Sequence, residues 1–274
     1  IKKEQETFIR NQMLQKSKLI IVTICKDNIE QLSNTLHSVQ TFMPSAFSLV
    51  IDSSKNSKSM QDLALRKRPS KLLKFIFTPP RGIYDAMNIA FDFLDDFDYV
   101  MWLNSGDNLI SDIDFLDNEK IKLIIGQVKI IKNDFYTGKL YPPTFFIKSL
   151  NRFKLYTYFF SYNHQASIFP TNILNNIKYR KDLKIYSDLV FKQKVLRKAI
   201  KNDSLRIVNS PIIAFLAGGL SQLDSFEKFL ISFKELNFLL LKREISLFIY
   251  TPKILLLFAR LSKFLLEWLL KKNN

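Results

Sequence analysis

The sequence is poor in the residues that build disulfide bonds, zinc sites and glycine-rich phosphate loops. Its 274 residues include one cysteine, Cys25, and two histidines. A single cysteine excludes an intrachain disulfide framework and is typical of a protein from a reducing compartment. None of the six glycines forms Gly-x-Gly-x-x-Gly or Gly-x-x-x-x-Gly-Lys-Ser/Thr. The dinucleotide fingerprint and the P-loop are therefore excluded.

Negative charge is also scarce relative to positive charge. Aspartate and glutamate number 25 and lysine and arginine 41, which gives a net charge of +16. Such an excess predicts an anionic partner, whether nucleic acid, a phosphorylated small molecule or an acidic membrane surface. A nucleic-acid-binding protein is one alternative, but the sequence has no zinc spacing, no RNP1-like run and no arginine-rich recognition segment.

Strand-like and helix-like segments alternate along the first half of the chain. Apolar runs at 19–25, 47–51, 72–77 and 99–103 predict strands. Helices are predicted from a capping-box-like start at Asp27 and Glu30 to about residue 40, and over 59–67, 83–94 and 187–198. Further strands are predicted over 121–131 and 207–214. Short connections between alternating elements predict an α/β fold with a mostly parallel, Rossmann-like sheet and helices on both faces.

Three regions are expected. Residues 1–16 form a short charged helix or arm, 17–224 form the α/β domain, and 225–274 form C-terminal amphipathic helices, which Pro252 is expected to interrupt. At about 100° per residue, the charged side chains near the end, apart from Lys272, fall in one narrow arc. They are Lys253, Arg260, Lys263, Glu267 and Lys271.

Two interpretations of that C-terminal helix stay open. It packs on the core, or it lies in a membrane interface with its apolar face in lipid and its basic stripe among anionic head groups. Charges interrupt every apolar run well before the roughly 18 residues that a membrane span requires.

Two compact motifs carry the strongest chemical signal. They are Gly82-Ile83-Tyr84-Asp85-Ala86-Met87-Asn88 and Leu103-Asn104-Ser105-Gly106-Asp107. The second places a carboxylate just beyond a predicted strand, where ligands bind in open α/β sheets. Four of the six glycines, Gly82, Gly106, Gly218 and Gly219, lie beside candidate site residues. Glycine is useful where backbone turns sharply or approaches a ligand.

Together with Val50-Ile51-Asp52, His164-Gln165, Ser187-Asp188 and Gly218-Gly219-x-Ser221, these motifs resemble glycosyltransferase family 2. The matching segments follow the family order over about residues 18–222, and bacterial enzymes that build surface polysaccharides such as lipopolysaccharide or capsule are the most similar. The resemblance implies a GT-A fold, a nucleotide-sugar donor, a divalent metal and inversion at the anomeric carbon.

For the donor, the resemblance implies that Asp107 binds Mn²⁺ or Mg²⁺ and that Asp52 and Asp85 lie near the base or ribose. Thr23, Asn88, Asn104 and Ser105 are expected in the nucleotide pocket, and Arg81 is expected to pair with a phosphate. The family often has Asp-x-Asp where this chain has Asn104 first, which leaves one carboxylate for the metal. The alternatives are ordinary turn residues at Asp52 and Asp107, a first-turn helix acid at Asp85, and a solvated loop arginine.

For the acceptor, the segment Ile185-Tyr186-Ser187-Asp188 matches the one that supplies the family's general base, so Asp188 is the candidate base. The alternative is a helix N-cap. His164, Gln165, Gly218, Gly219 and Ser221 are expected near the acceptor or the diphosphate.

The predicted function is a metal-dependent inverting glycosyltransferase that moves a hexosyl or N-acetylhexosaminyl group from a UDP-sugar. The expected acceptor is a hydroxyl of a lipid-linked or cell-surface glycan, and the expected location is the cytoplasmic face of the cell membrane, bound peripherally. A non-catalytic scaffold on the same fold is a further alternative, disfavoured because Asp107 and Asp188 are both present.

Overall fold

The computed structural model describes residues 19–113, 122–132, 135–142, 162–216 and 225–272. The predicted arm over 1–16 and the site residues Gly218, Gly219 and Ser221 lie outside these ranges. Within them the strands are β1 Leu19–Cys25, β2 Phe47–Asp52, β3 Leu73–Phe77, β4 Tyr99–Trp102, β5 Asn108–Leu109, β6 Leu123–Lys132, β7 Phe135–Tyr141, β8 Ser167–Pro170 and β9 Leu205–Leu216. The α-helices are α1 Ile29–Phe42, α2 Ser57–Lys67, α3 Ile83–Ile89, α4 Ser187–Lys201, α5 Phe226–Leu241 and α6 Leu247–Lys272.

The strands form one mixed sheet in the order β3-β2-β1-β4-β8-β6-β9-β5, and β7 pairs with β6. The first four strands in that order are parallel. Strand β8 runs antiparallel to both β4 and β6. In the parallel part, Cys25 pairs with Asp52, and Asp52 pairs with Phe77. The carboxyl ends of β1, β2 and β3 therefore meet at one edge of the sheet.

Helices cover both faces of this sheet. One face packs against α3 and α4 through a cluster that includes Val22, Met87 and Phe191. The other face packs against α1 and α2. Trp102 of β4 is fully buried at the centre of the first cluster, with ring centroids 5.4 Å from Phe191 and 5.5 Å from Phe169. The predicted α/β architecture is confirmed, because helices flank a sheet whose first half is parallel.

The start of α1 differs from the predicted capping box. Asn28 is the N-cap, and its side-chain oxygen accepts the backbone N–H of Gln31. Asp27 instead has a φ of 51°, outside the extended region typical of an N-cap, and its carboxylate accepts the backbone N–H of Lys55. The prediction of Asp27 as the helix start was therefore wrong by one residue.

The interruption expected at Pro252 was also wrong. Pro252 lies inside α6, and the break comes earlier, at residues 242–246. There the backbone N–H groups of Arg243 and Glu244 bond to the carbonyls of Leu240 and Leu239, and Arg243 has a φ of 56°. These bonds form a Schellman motif, which ends α5. The end of α5 was not predicted because Arg243 occupies the position where a glycine usually marks the end of a helix.

The C-terminal helices pack directly on α4. Leu189 and Val190 of α4 share a buried cluster with Leu236 of α5 and with Ile249 and Leu257 of α6. One face of α6 thus follows the core-packing interpretation. Among the described helices, none is both long and apolar enough to cross a membrane.

Asn88 joins α3 to the segment before α4. Its amide nitrogen donates to the Tyr179 carbonyl and its amide oxygen accepts the Tyr179 N–H, both at 2.9 Å and both buried. We expect Asn88→Ala to lower the free energy of unfolding by about 1–3 kcal/mol, because two buried backbone groups lose their partners. Urea denaturation measures this loss. Asn34→Ala, on the exposed side of α1, is the control, and equal stability of the two variants would contradict the expected role.

Candidate active site

The Asp107 turn is fixed by α1. Gly106 has a φ of 100°, which favours glycine, and the turn closes with a hydrogen bond from the Asp107 N–H to the Asn104 carbonyl at 3.0 Å. The Thr35 hydroxyl of α1 accepts the Gly106 N–H at 3.0 Å and donates to the Asp107 carbonyl at 2.8 Å. Asp107 is therefore held, 4% exposed, beyond the carboxyl end of β4.

Asp52 is the last residue of β2 and is fully buried. One carboxylate oxygen, Oδ1, accepts the Ser54 hydroxyl at 2.5 Å, the Ser54 N–H at 3.1 Å and the Cys25 thiol at 3.4 Å. Burial, reinforced by the Asp52 carboxylate, raises the pKa of the Cys25 thiol, so this thiol remains a neutral donor. These bonds fix one side of the carboxylate and leave its other oxygen, Oδ2, for a further partner.

Several buried polar atoms at this edge have no hydrogen-bond partner within the described part of the chain. They are Thr23 Oγ1, Asp52 Oδ2, Asn104 Oδ1 and Ser105 Oγ. The backbone joins their segments, because Ser105 N–H donates to the Ile24 carbonyl and Ser53 N–H donates to the Cys25 carbonyl, both at 3.0 Å. Each buried polar atom without a partner costs about 1–3 kcal/mol. The arrangement therefore suits a polar ligand that supplies those partners.

Oxygen ligands for a hard cation come from the same turn. Asp107 offers a carboxylate, and Asn104 offers the amide oxygen that lacks a partner. Mg²⁺ in proteins is often bound by one or two such oxygens together with substrate phosphates. In the described ranges, no group of three or more histidine, cysteine, aspartate or glutamate side chains could hold a metal alone. The turn thus fits a cation that a phosphorylated ligand helps to bind.

The remaining residues of the first motif have partners of other kinds. Asp85 forms an ion pair with Lys181, and Arg81 is exposed in the loop before Gly82. Both oxygen and nitrogen of the Asn88 amide bond to Tyr179, as described above, which does not favour a nucleotide contact by this side chain. Roles for Asp85, Arg81 and Asn88 in nucleotide binding stay predictions.

Asp188 lies in the first turn of α4, whose N-cap is Tyr186. Its carboxylate oxygen Oδ2 is 3.1 Å from Lys192 Nζ and 3.6 Å from His164 Nδ1. Burial alone would raise the pKa of Asp188, but the Lys192 charge and the His164 contact outweigh it and hold that pKa far below its usual value. Asp188 is therefore an ionised carboxylate that does not cap the helix.

Lys192 and His164 are themselves fixed. The Lys192 ammonium donates to the Tyr162 carbonyl at 2.8 Å, and the Tyr162 hydroxyl donates to the Lys192 carbonyl at 3.0 Å. Burial lowers the pKa of His164 despite the nearby Asp188, so the imidazole is neutral at physiological pH. Its Nε2 is buried and has no hydrogen-bond partner in the described residues. Gln165, the other half of the predicted pair, is buried next to it.

The chain leading into Asp188 is held by Glu235 of α5. Both Glu235 carboxylate oxygens take part, and together they accept the backbone N–H groups of Lys184 at 2.5 Å and of Ile185 and Tyr186 at 3.0 Å. From the other side, the Tyr84 hydroxyl of the first motif donates to the Ile185 carbonyl at 2.7 Å. These bonds bring the Asp188 segment next to α3.

Sequence reasoning missed three residues that shape this site: Thr35, Lys192 and Glu235. Lys192 carried a usable signal, since a lysine four residues after an aspartate lies on the same helix face. Thr35 and Glu235 carried none, because their partners are distant in sequence.

No family model and no curated protein matches this sequence. Solved structures do match. TarS of S. aureus is 18% identical over 80% of this chain, with a TM-score of 0.57. GalNAc-T7, solved with UDP, GalNAc and Mn²⁺, is 14% identical over 74% of this chain, with a TM-score of 0.52. The matched part covers 40% of TarS, 66% of its fragment 1–349 solved with UDP, and 44% of GalNAc-T7.

These structural neighbours are glycosyltransferases of the GT-A fold, and this chain shares that fold. The predicted GT-A fold class is confirmed. At these identities the likeness establishes the fold alone, and membership of glycosyltransferase family 2 stays a prediction.

We expect Glu235→Gln to loosen the segment before Asp188, because an amide offers one acceptor oxygen and turns its NH₂ group toward a backbone N–H. The free energy of unfolding should fall by about 1–3 kcal/mol. Hydrogen exchange at the Ile185 and Tyr186 amides should accelerate. Glu227→Gln, an exposed acid on the same helix, is the control. Unchanged exchange at both amides in Glu235→Gln would contradict this role.

Proposed function

We propose that this protein is a glycosyltransferase that moves a sugar from a nucleotide-sugar donor to a hydroxyl acceptor. The observation that carries the proposal is the convergence of two chemical groups on one GT-A sheet. Polar atoms that have no partner among the described residues lie at the Asp107 turn, and Tyr84 and Lys181 join the segment before the ionised Asp188 to α3. The first group suits a donor, and the second suits a general base.

A UDP-sugar is the proposed donor. Asp52 Oδ2 and Thr23 Oγ1 are buried oxygens that accept hydrogen bonds of the kind that a uracil imide or a ribose hydroxyl donates. Structures of TarS with UDP and with UDP-GlcNAc, and of GalNAc-T7 with UDP, support this choice of nucleotide. The transferred group would then be a hexosyl or N-acetylhexosaminyl group.

Asp107 and Asn104 would bind Mn²⁺ or Mg²⁺ together with the donor diphosphate. When bound, such a cation neutralises the charge that develops on the departing diphosphate. The Mn²⁺ in the GalNAc-T7 structure supports this assignment. The protein's own part is to hold the Asp107 turn rigid, which the two hydrogen bonds of Thr35 accomplish.

Asp188 is the proposed general base of an inverting transfer. The acceptor oxygen forms a bond to C1 of the sugar while the bond from C1 to the diphosphate oxygen breaks on the opposite side. The acceptor proton passes to the Asp188 carboxylate as that bond forms. Lys192 keeps this carboxylate ionised at physiological pH, and neutral His164 helps to orient it at 3.6 Å.

Paired variants separate the donor site from the base. Asp107→Ala should abolish Mn²⁺-dependent binding of UDP, measured by calorimetry with Mn²⁺ and with EDTA. Asp188→Asn should keep that binding within about twofold and lose about 10²–10⁴ in transfer rate, because a general base acts mainly in the transition state. Equal UDP affinity with Mn²⁺ and EDTA would contradict the metal, and tighter binding of GDP or CMP would contradict UDP. An Asp188→Asn variant with more than half of the wild-type turnover would place the base elsewhere.

We also propose that α6 binds the anionic surface of a membrane, where a lipid-linked or cell-surface glycan acceptor would be found. Its outer side exposes Phe248 by 65%, Leu255 by 64% and Leu256 by 50%. The exposed bases Lys242 and Arg243 lie in the connection just before it. An apolar face beside basic residues is typical of interfacial helices.

The double variant Phe248→Ser/Leu255→Ser should lose co-sedimentation with vesicles that contain anionic lipid, and wild-type binding should weaken as salt increases. Both side chains are mostly exposed, so the variant should melt near the wild-type temperature. Leu65→Ser, which removes an exposed leucine from α2, is the control. Full vesicle binding by the double variant would place the membrane contact elsewhere or exclude it.

A further inference from the structure

The C-terminal helix α6 sends one lysine toward the proposed base. Lys253 Nζ lies 5.8 Å from the centroid of the Tyr186 ring, and Tyr186 precedes Asp188 by two residues. Lys192 on α4 and Arg260 on α6 complete the charged groups around it. A cation from the end of the chain therefore lies in the neighbourhood of the Asp188 carboxylate.

The surroundings of Lys253 disfavour the charged form of its side chain. Part of the side chain is exposed, yet enough protein surrounds the ammonium group to lower the pKa of Lys253 to about 8. Burial is the main cause, the Lys192 charge adds to it, and Asp188 opposes it. Within the described ranges, no carboxylate lies at ion-pair distance from Lys253, whereas Asp188 is already paired with Lys192. Lys253 therefore lies beside the base without a carboxylate partner of its own among the described residues.

We propose that Lys253, lying over the Tyr186 ring beside Asp188, binds a phosphate group of the acceptor substrate. The inference rests on the proposed function, since only then is the molecule next to Asp188 an acceptor. A phosphate would supply the ion-pair partner that Lys253 lacks among the described residues and would keep Lys253 protonated. The Lys253 ammonium is a compact point charge with three rotatable donors, and lysine binds phosphate oxygens in this way.

Lys253 contacts a different segment of the chain from those that carry the proposed donor groups. The donor groups lie around Asp52, Asn104 and Asp107, beyond strands β2 and β4. Lys253 instead contacts Tyr186, in the segment that leads into the base. The acceptor class would thus be a hydroxyl compound that carries a phosphate near the hydroxyl, such as a polyol phosphate or a phosphate-linked glycan.

Pulse acetylation of the full chain at pH 8 tests the proposal without requiring transfer activity. About half of Lys253 is neutral at that pH, against well under a hundredth of an ordinary lysine. Mass spectrometry should show that glycerol 1-phosphate slows acetylation of Lys253 at least threefold, and that glycerol, glucuronate and UDP with Mn²⁺ do not. Exposed Lys71 serves as the internal control, and its rate should not change.

Protection by UDP with Mn²⁺ would assign Lys253 to the donor and overturn the acceptor subsite, while the proposed function would stand. Protection by glucuronate equal to that by glycerol 1-phosphate would overturn the preference for phosphate. Absence of protection by any of these compounds would overturn the subsite. Failure of UDP to bind in calorimetry, with protection by glycerol 1-phosphate intact, would instead contradict the proposed function.

Variants give a second readout. Lys253→Met should weaken glycerol 1-phosphate binding at least fivefold in a ³¹P NMR titration, and Lys253→Arg should retain it. Lys242→Met, at the exposed end of α5, is the matched control. Met in place of a lysine whose folded pKa is lowered removes a desolvation cost, so this variant should melt at or above the wild-type temperature. Wild-type phosphate affinity in Lys253→Met would overturn the proposal.

Discussion

The ion pair of Asp188 and Lys192 is the interaction on which the proposed acceptor side depends. The Asp188 side chain is 25% exposed and the Lys192 side chain 7%, and the two charged groups lie one helical turn apart at 3.1 Å. Burial favours the neutral carboxyl, but the Lys192 charge opposes it and keeps Asp188 ionised. Removing Asp188 would leave the buried Lys192 ammonium without its charge partner, which is destabilising. Lys192 is held in turn by the Tyr162 carbonyl. The charge state of Asp188 thus ties α4 to the segment that carries His164.

The C-terminal helices α5 and α6 are part of the structure that holds the Asp188 segment in place. Glu235 of α5 accepts three consecutive backbone N–H groups just before α4, and Lys253 of α6 reaches Tyr186 in the same segment. The boundary predicted at residue 224 marks the point where the sequence pattern changes to a long helical stretch. Energetically, α5 and α6 share one buried cluster with α4. Truncation before α6 would therefore disturb the site as well as any membrane contact.

Much of the parallel sheet could be predicted from sequence, because its buried strands are continuous apolar runs. Strand β1 matches its prediction at both ends, and β2 and β4 match within one residue. The motif glycine Gly106 has the positive φ that its position suggested. What failed depended on tertiary or unusual local chemistry. Arg243 occupies a left-handed position where glycine is typical, and Thr35 fixes the Asp107 turn across 72 residues of sequence.

The charged arc of α6 shows how a correct periodicity can lead to an incomplete interpretation. Lys253 and Arg260 do share a helix face, but the structure turns Lys253 toward Tyr186. At 100° per residue, Leu255 lies about 200° from Lys253, and Phe248 is nearly in line with Leu255. The exposed apolar face is therefore opposite the lysine, so lipid contact and Lys253 would serve different surfaces of one helix.

If the apolar face rests on a bilayer, the opposite face holds Lys253 and the base within a helix diameter, about 10–12 Å, of the lipid surface. A phosphate that joins a glycan to a lipid lies at that same boundary. Membrane binding and phosphate recognition by α6 are thus independent proposals that are geometrically compatible.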